Sequence, residues 1–277
     1  MRGHGPVRSI KIMCRWAAYR GTPLFLEEVV TAPSHSLIAQ SHAATHGLTA
    51  TNGDGFGLAW YGERGDPGLY RDILPAWSDC NLKSLAHQIR SGLFLAHVRA
   101  STTGATARAN CHPFTHARWT FMHNGLVGEF DRLERRLEGH LSNRFYTLRQ
   151  GSTDSELLFL LALQMGLARD VHGALSATIN LVAAETAAIG IHPLIRFTAA
   201  LSDGETLYAV RYATDGKAPS LFAHVGKDGD CRLVSEPLDG DSASWTPVPE
   251  GSFITVSSHG FYRRSFKPLA NSIALAV

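Results

Sequence analysis

The sequence predicts an α+β fold in which helical layers cover packed antiparallel sheets. Three observations predict it. Short strand-like runs with glycine turns fill the first part of the chain, and a block of helical periodicity occupies roughly 130–188. Strand patterns then return and continue towards the C-terminus, with no repeat, linker or low-complexity block between them.

Residues 14–21, CRWAAYRG, read as a short strand ending at Gly21, and a short helix is expected after Pro33. TNGDGFGLAWYG is a glycine-dense turn running into a strand over Phe56–Tyr61, where small residues let backbones pass closely. DPGLYRD supplies a second strand edge. SDCNLKSLAHQIRSG reads as a helix with Ser78 or Asp79 as N-cap and Gly92 as its stop. LFLAHVRAST and ARWTFMHNGLVG are strands, the first a nearly continuous apolar run typical of burial. GEFDRLERRLEGHL places Phe130, Leu133, Leu137 and Leu141 at helical spacing. STDSELLFLLALQMGLA is the clearest helix: Thr153 and Glu156 form a capping box, which leaves Asp154 in the first turn to face a ligand. A third helix follows over roughly 170–188, then a hairpin around Asp203-Gly204 and strands in SLFAHV, CRLVSEPL and GSFITVSS.

Composition narrows the function classes. Hydrophobic residues make up 44% and charged residues 18% of the 277 positions, with a formal net charge of +2. That balance gives no electrostatic footprint for nucleic acid or an anionic membrane. The longest apolar stretch, LLFLLALQMGLA, is too short to span a bilayer. Residues 1–13 are basic but lack the apolar core of a signal peptide, so the expected location is cytoplasmic. Cys14, Cys80, Cys111 and Cys231 form no Cys-x-x-Cys pair, which argues against a zinc ribbon or a redox site. Most of the 14 histidines are expected to be surface or satisfied core residues, with no metal site. GDGFG lacks the Lys and the spacing of a phosphate-binding loop, and no cofactor is expected.

Taken singly, the candidate site residues have plain structural readings. Cys14 reads as a buried thiol, Arg99 as a rim ion pair, HNG at 123–125 as a turn, and Asp154 as a complement to a helix dipole. Their order changes that reading. MCRW, NGDGFGLAWYG, HVRAST, NCHPF, FMHNG and STDSE follow one another over about half of the chain. This combination resembles the class-II glutamine amidotransferase domain, an N-terminal-nucleophile (Ntn) hydrolase. The agreement looks closest to stand-alone members such as the γ-glutamyl hydrolase of ergothioneine biosynthesis. The resemblance implies a four-layer αββα sandwich of two antiparallel sheets. It also implies a domain spanning 14–277, with 1–13 as a leader that is either an unused upstream start or a removed segment.

The resemblance further implies that Cys14 is the nucleophile and the first residue of the mature chain. A Cys thiol is only a few per cent ionised at neutrality, whereas an α-amino group titrates at about 7.7–8.0 and can take the thiol proton. The amide nitrogen of an internal cysteine cannot. The Asn124 side-chain amide and the Gly125 backbone N–H map onto the oxyanion hole, Arg99 onto the α-carboxylate site and Asp154 onto the α-ammonium site. Thr102 maps onto a position that supports the carboxylate, and His112-Pro113 reads as a structural turn with no catalytic role for His112. The expected substrate is glutamine or a γ-glutamyl small molecule, cleaved through a Cys14 thioester. Two alternatives stand beside that reading: a glutaminase subunit that delivers ammonia to a separate synthase, and a non-catalytic scaffold. The intact set of site residues speaks against the scaffold.

Overall fold

A computed structural model describes residues 14–42, 52–100 and 106–271; the leader and Thr102 lie outside the described residues. In chain order the first elements are β1 (Arg15–Phe25), α1 (Glu27–Val30), α2 (Leu37–His42), β2 (Phe56–Trp60), β3 (Gly68–Asp72), α3 (Cys80–Gln88) and β4 (Arg90–Val98). Then come β5 (Phe114–His116), β6 (Trp119–Val127), α4 (Phe130–Glu138), α5 (Asn143–Tyr146), α6 (Asp154–Gln164) and α7 (Val171–Ala188). The last strands are β7 (Ile195–Ser202), β8 (Leu207–Ala213), β9 (Phe222–Val225), β10 (Cys231–Val234), β11 (Thr246–Pro247), β12 (Ser252–Ser257) and β13 (Gly260–Ser265).

One sheet runs β11-β9-β10-β1-β4-β2-β3 and the other β13-β12-β8-β7-β6-β5, with every pairing antiparallel. Alternation along the strands sorts side chains into three apolar layers. In β1, Trp16 and Ala18 join Leu95, Met122, Ala200 and Ile254 between the two sheets. Ala17 and Tyr19 turn the other way, onto Val29, Leu37 and Leu82 of the α1–α3 layer. Phe121, Phe197 and Phe253 of the second sheet pack under α4, α6 and α7. These layers make the predicted αββα sandwich. α6 is apolar on nearly every side and is correspondingly buried, with Phe159 stacked on Phe121 at 5.3 Å between centroids.

Some boundaries differ from expectation. β1 continues past Gly21 because a register shift between Arg20 and Leu24 lets Phe25 pair again with Arg90. α3 is capped by Asp79, whose carboxylate accepts the Leu82 N–H at 2.6 Å, but it ends before Gly92. Ile89 has already turned extended to start β4, and Gly92 lies inside that strand. β13 has no counterpart among the predicted strands. It is an exposed edge whose polar GFYRRS sequence carries no inward-facing stripe.

Phe159→Ala is expected to remove about 3–5 kcal/mol of stability, read as a lowered midpoint in urea unfolding at unchanged slope.

Candidate active site

Cys14 sits immediately before β1, is buried, and points its Sγ to within 3.5 Å of the Ala100 carbonyl just beyond β4. Its own carbonyl accepts two hydrogen bonds: from Asn124 Nδ2 at 2.7 Å and from Arg15 Nη1 at 3.1 Å. Central strands of the two facing sheets therefore meet at this residue. Asn124 and Gly125 belong to β6, the strand expected in ARWTFMHNGLVG, and lie opposite Thr198 and Phe197 of β7; the turn that HNG suggests when taken alone is absent. Glycine is required at 125 for a reason the sequence did not signal. A Cβ there would lie 1.9 Å from the Arg196 carbonyl oxygen and 2.5 Å from His123 Nε2.

Arg99 follows β4 and is 4% exposed. The DGFG segment clasps it: the Arg99 N–H donates to Gly55 O at 2.8 Å, the Asp54 N–H donates to Arg99 O at 3.1 Å, and Nη1 donates to Asp54 O at 3.3 Å. Gly55 has φ +117°, and a Cβ there would strike the Cys111 Sγ and the Asp72 carbonyl. The glycine-dense turn thus holds the backbone on both sides of an arginine.

Asp154 opens α6. Its Oδ2 accepts the Val127 N–H at 2.9 Å and its Oδ1 accepts the Ser155 hydroxyl at 3.1 Å. The capping box is only half formed. Thr153 Oγ1 accepts the Glu156 N–H at 3.2 Å, but the Glu156 carboxylate turns outward to the Gln150 and Gly151 N–H groups at 2.9 and 2.7 Å. Asp154 is therefore tethered to the end of β6, unlike the unengaged carboxylate expected from the sequence. A carboxylate accepts up to about four hydrogen bonds, so capacity for an ammonium remains.

The charges converge on the thiol. Burial pushes Cys14 above its ordinary pKa, Arg99 and Arg15 pull it back, and Asp154 adds to the rise. Behind Arg99 lie three buried histidines. The His97 and His112 rings are both buried and lie 4.2 Å apart between centroids. His123 is satisfied, with Nδ1 2.9 Å from Ser155 Oγ and Nε2 3.1 Å from Arg196 O. Burial, reinforced by Arg99, depresses His97 to about 3, and burial with the neighbouring His97 drives His112 well below its usual value. Both rings are neutral at physiological pH. No group of three or more metal-ligating side chains with suitable geometry occurs among the described residues. Nor, among the described residues, is any helix long and apolar enough to cross a membrane.

The structure thus brings Cys14, Asn124, Gly125, Arg99 and Asp154 to one end of the facing central strands, while Thr102 falls outside the described residues. Sequence reasoning missed Arg15, Glu236 and His35. Arg15 and Glu236 form an ion pair with side chains 2% and 0% exposed, and His35 Nε2 lies 3.1 Å from Glu236 Oε2. The available signal was a charged residue inside the apolar run of a buried strand.

A model of the class-II glutamine amidotransferases matches residues 27–218. A probable glutamine amidotransferase from Saccharomyces cerevisiae is 34% identical over 88% of this chain and 82% of its own. A γ-glutamyl-hercynylcysteine sulfoxide hydrolase from Mycolicibacterium smegmatis is 29% identical over 88% and 96%. Among solved structures, a glutamine aminotransferase class-II domain protein from Silicibacter pomeroyi superposes with TM-score 0.72 at 42% identity, covering 92% of this chain and all of that one. The phosphoribosylpyrophosphate amidotransferase of B. subtilis shares the fold at 13% identity and TM-score 0.62, covering 92% of this chain and 49% of that one.

Two outcomes are expected. Gly125→Ala forces the β6–β7 pair apart, costing about 1–3 kcal/mol and abolishing any reaction at Cys14, measurable by thermal melting and assay on one preparation. His97 binds a proton more readily when unfolded (ordinary value 6.5) than when folded (about 3). Its stabilising contribution is therefore complete above pH 6.5 and is lost as pH falls towards 3, at up to about 1.4 kcal/mol per pH unit. Urea unfolding between pH 7 and 4 reads that slope, and His97→Gln should flatten it.

Proposed function

The chain belongs to the class-II glutamine amidotransferase family, and on that premise we propose that it hydrolyses the γ-amide of a free-standing γ-glutamyl compound through Cys14. The observation that carries this reading is the 2.7 Å hydrogen bond from Asn124 Nδ2 to the Cys14 carbonyl. It sets a side-chain amide with a second N–H against the main chain of Cys14 itself.

The chemistry follows from the residues. With Cys14 as the first residue of the mature chain, its α-amine takes the thiol proton and the thiolate attacks the γ-carbonyl carbon. The developing oxyanion is met by the remaining Asn124 N–H and the Gly125 backbone N–H. Collapse of the tetrahedral adduct breaks the C–N bond, the amine leaves with the proton held by the α-amino group, and a γ-glutamyl thioester remains. Water then adds to the thioester carbonyl, releasing glutamate and restoring the thiol. Arg99 presents a planar fork to the substrate α-carboxylate, Asp154 meets the α-ammonium, and Thr102 supports the carboxylate.

The stand-alone reading is preferred to a subunit that feeds ammonia to a separate synthase. Its support is the hydrolase named above, whose own length this chain matches almost completely.

The direct test supplies glutamine and a γ-glutamyl amine to the chain beginning at Cys14 and measures glutamate. Turnover without a partner protein is expected, with Cys14→Ala inactive and Asn124→Ala slowed about 10²–10³-fold in kcat. An electrophilic glutamine analogue should label Cys14, and intact mass of the native protein should begin at that residue. A mature chain that retains the leader overturns the mechanism.

A further inference from the structure

We propose that Arg15, held by Glu236 and His35, is a positioning residue that grips the nucleophile by its carbonyl. The inference rests on Cys14 being the nucleophile, as above. A first residue has a backbone neighbour on one side only, and chain termini fray unless tied down. The carbonyl is the main-chain acceptor through which such a residue can be fixed. Here two donors hold it from opposite sheets, Asn124 Nδ2 at 2.7 Å and Arg15 Nη1 at 3.1 Å. Together they set the rotation about the bond between Cα and the carbonyl, and so the direction in which the amine and thiol project.

Arg15 can do this because its other face is committed. Nε and Nη2 both reach Glu236 Oε1, and Glu236 Oε2 is 3.1 Å from His35 Nε2. The residues around Glu236 are fixed in turn. Trp16 N donates to Ser235 Oγ at 3.0 Å, Ser235 N donates to Trp16 O at 2.9 Å, and Gln40 Nε2 donates to His35 O at 2.9 Å. A guanidinium spans the carboxylate and the carbonyl at once because its donors diverge in a plane; a lysine ammonium cannot occupy both places. The same charge lies close enough to pull the thiol pKa down against burial.

Two effects, grip and field, are therefore separable by substitution. The reporters are kcat and KM for γ-glutamyl amide hydrolysis, and the pH dependence of Cys14 alkylation by iodoacetamide, followed on the Cys14 peptide by mass spectrometry. Arg15→Met is expected to lower kcat by about 10²-fold with little change in KM, and to move the alkylation midpoint up by about one pH unit. Arg15→Lys should restore the alkylation midpoint while kcat stays low. If Arg15→Met does not fold, the double variant Arg15→Met/Glu236→Leu leaves no unpaired buried charge and should show the same two losses. Wild-type kcat and an unchanged alkylation profile in either folded variant overturn the proposal. Failure of the underlying reading looks different: Cys14→Ala would then remain active, whereas here Cys14→Ala is inactive whatever the Arg15 variants do.

Discussion

A strand buried on both faces has no side chain to offer a substrate except at its ends. The first half of β1 is such a strand. Trp16 and Ala18 fill the layer between the sheets, Ala17 and Tyr19 fill the layer under the helices, and all four are inaccessible. A side chain of this strand that is to meet a ligand must therefore stand at the terminus of β1, where the pleat stops, and Cys14 stands there. The site is completed by whatever neighbouring strands bring to that same end. β4 brings Arg99, β6 brings Asn124 and Gly125, and α6 brings Asp154 by a hydrogen bond to the last residue of β6. Central placement of the strand and edge placement of the chemistry are one constraint seen from two sides.

The burial of so much charge at this end needs compensation, and the structure supplies it largely from backbone. Arg99 Nη1 donates to the Asp54 carbonyl of the DGFG turn, and the Glu156 carboxylate accepts from the N–H groups of Gln150 and Gly151. Backbone dipoles are fixed by the fold and need little reorganisation, so they hold a charge without adding a competing full charge beside the substrate. Arg15 is the exception, neutralised by a carboxylate that the sheet delivers from β10's end. Behind them the paired rings of His97 and His112 stay uncharged, which spares the pocket a further cation.

Much of this was legible in the sequence, and the gaps have physical reasons. Strands buried on both faces, such as β4, announce themselves by continuous apolar runs, and α6 by its length and N-cap. Cys14, Arg99, Asn124, Gly125 and Asp154 were recognisable because ordered motifs surround them. β13 was not, because an exposed edge strand has no apolar stripe, and β5 was too short to show a period. Taken alone HNG is a turn signal by local preference, whereas the apolar pattern of ARWTFMHNGLVG around it predicts the strand that forms. Here the demand for close contact with Arg196 overrides the turn preference. The half-formed capping box could not be foreseen, since Glu156 chooses between Thr153 and a loop whose path only the tertiary structure defines. Glu236 escaped notice because its partner is 221 positions away.

That separation has a consequence for the life history of the molecule. β1 is made first, but its pairing with β10 and the carboxylate that neutralises Arg15 belong to a segment synthesised late. While the ribosome is still working through the helical block, the first strand has a cation without its counter-ion and one edge without a neighbour. A nascent or truncated chain therefore lacks the buried ion pair that flanks Cys14. The thiol acquires its buried, charge-flanked environment only when the late strands dock, so that environment is itself a mark of a completed fold.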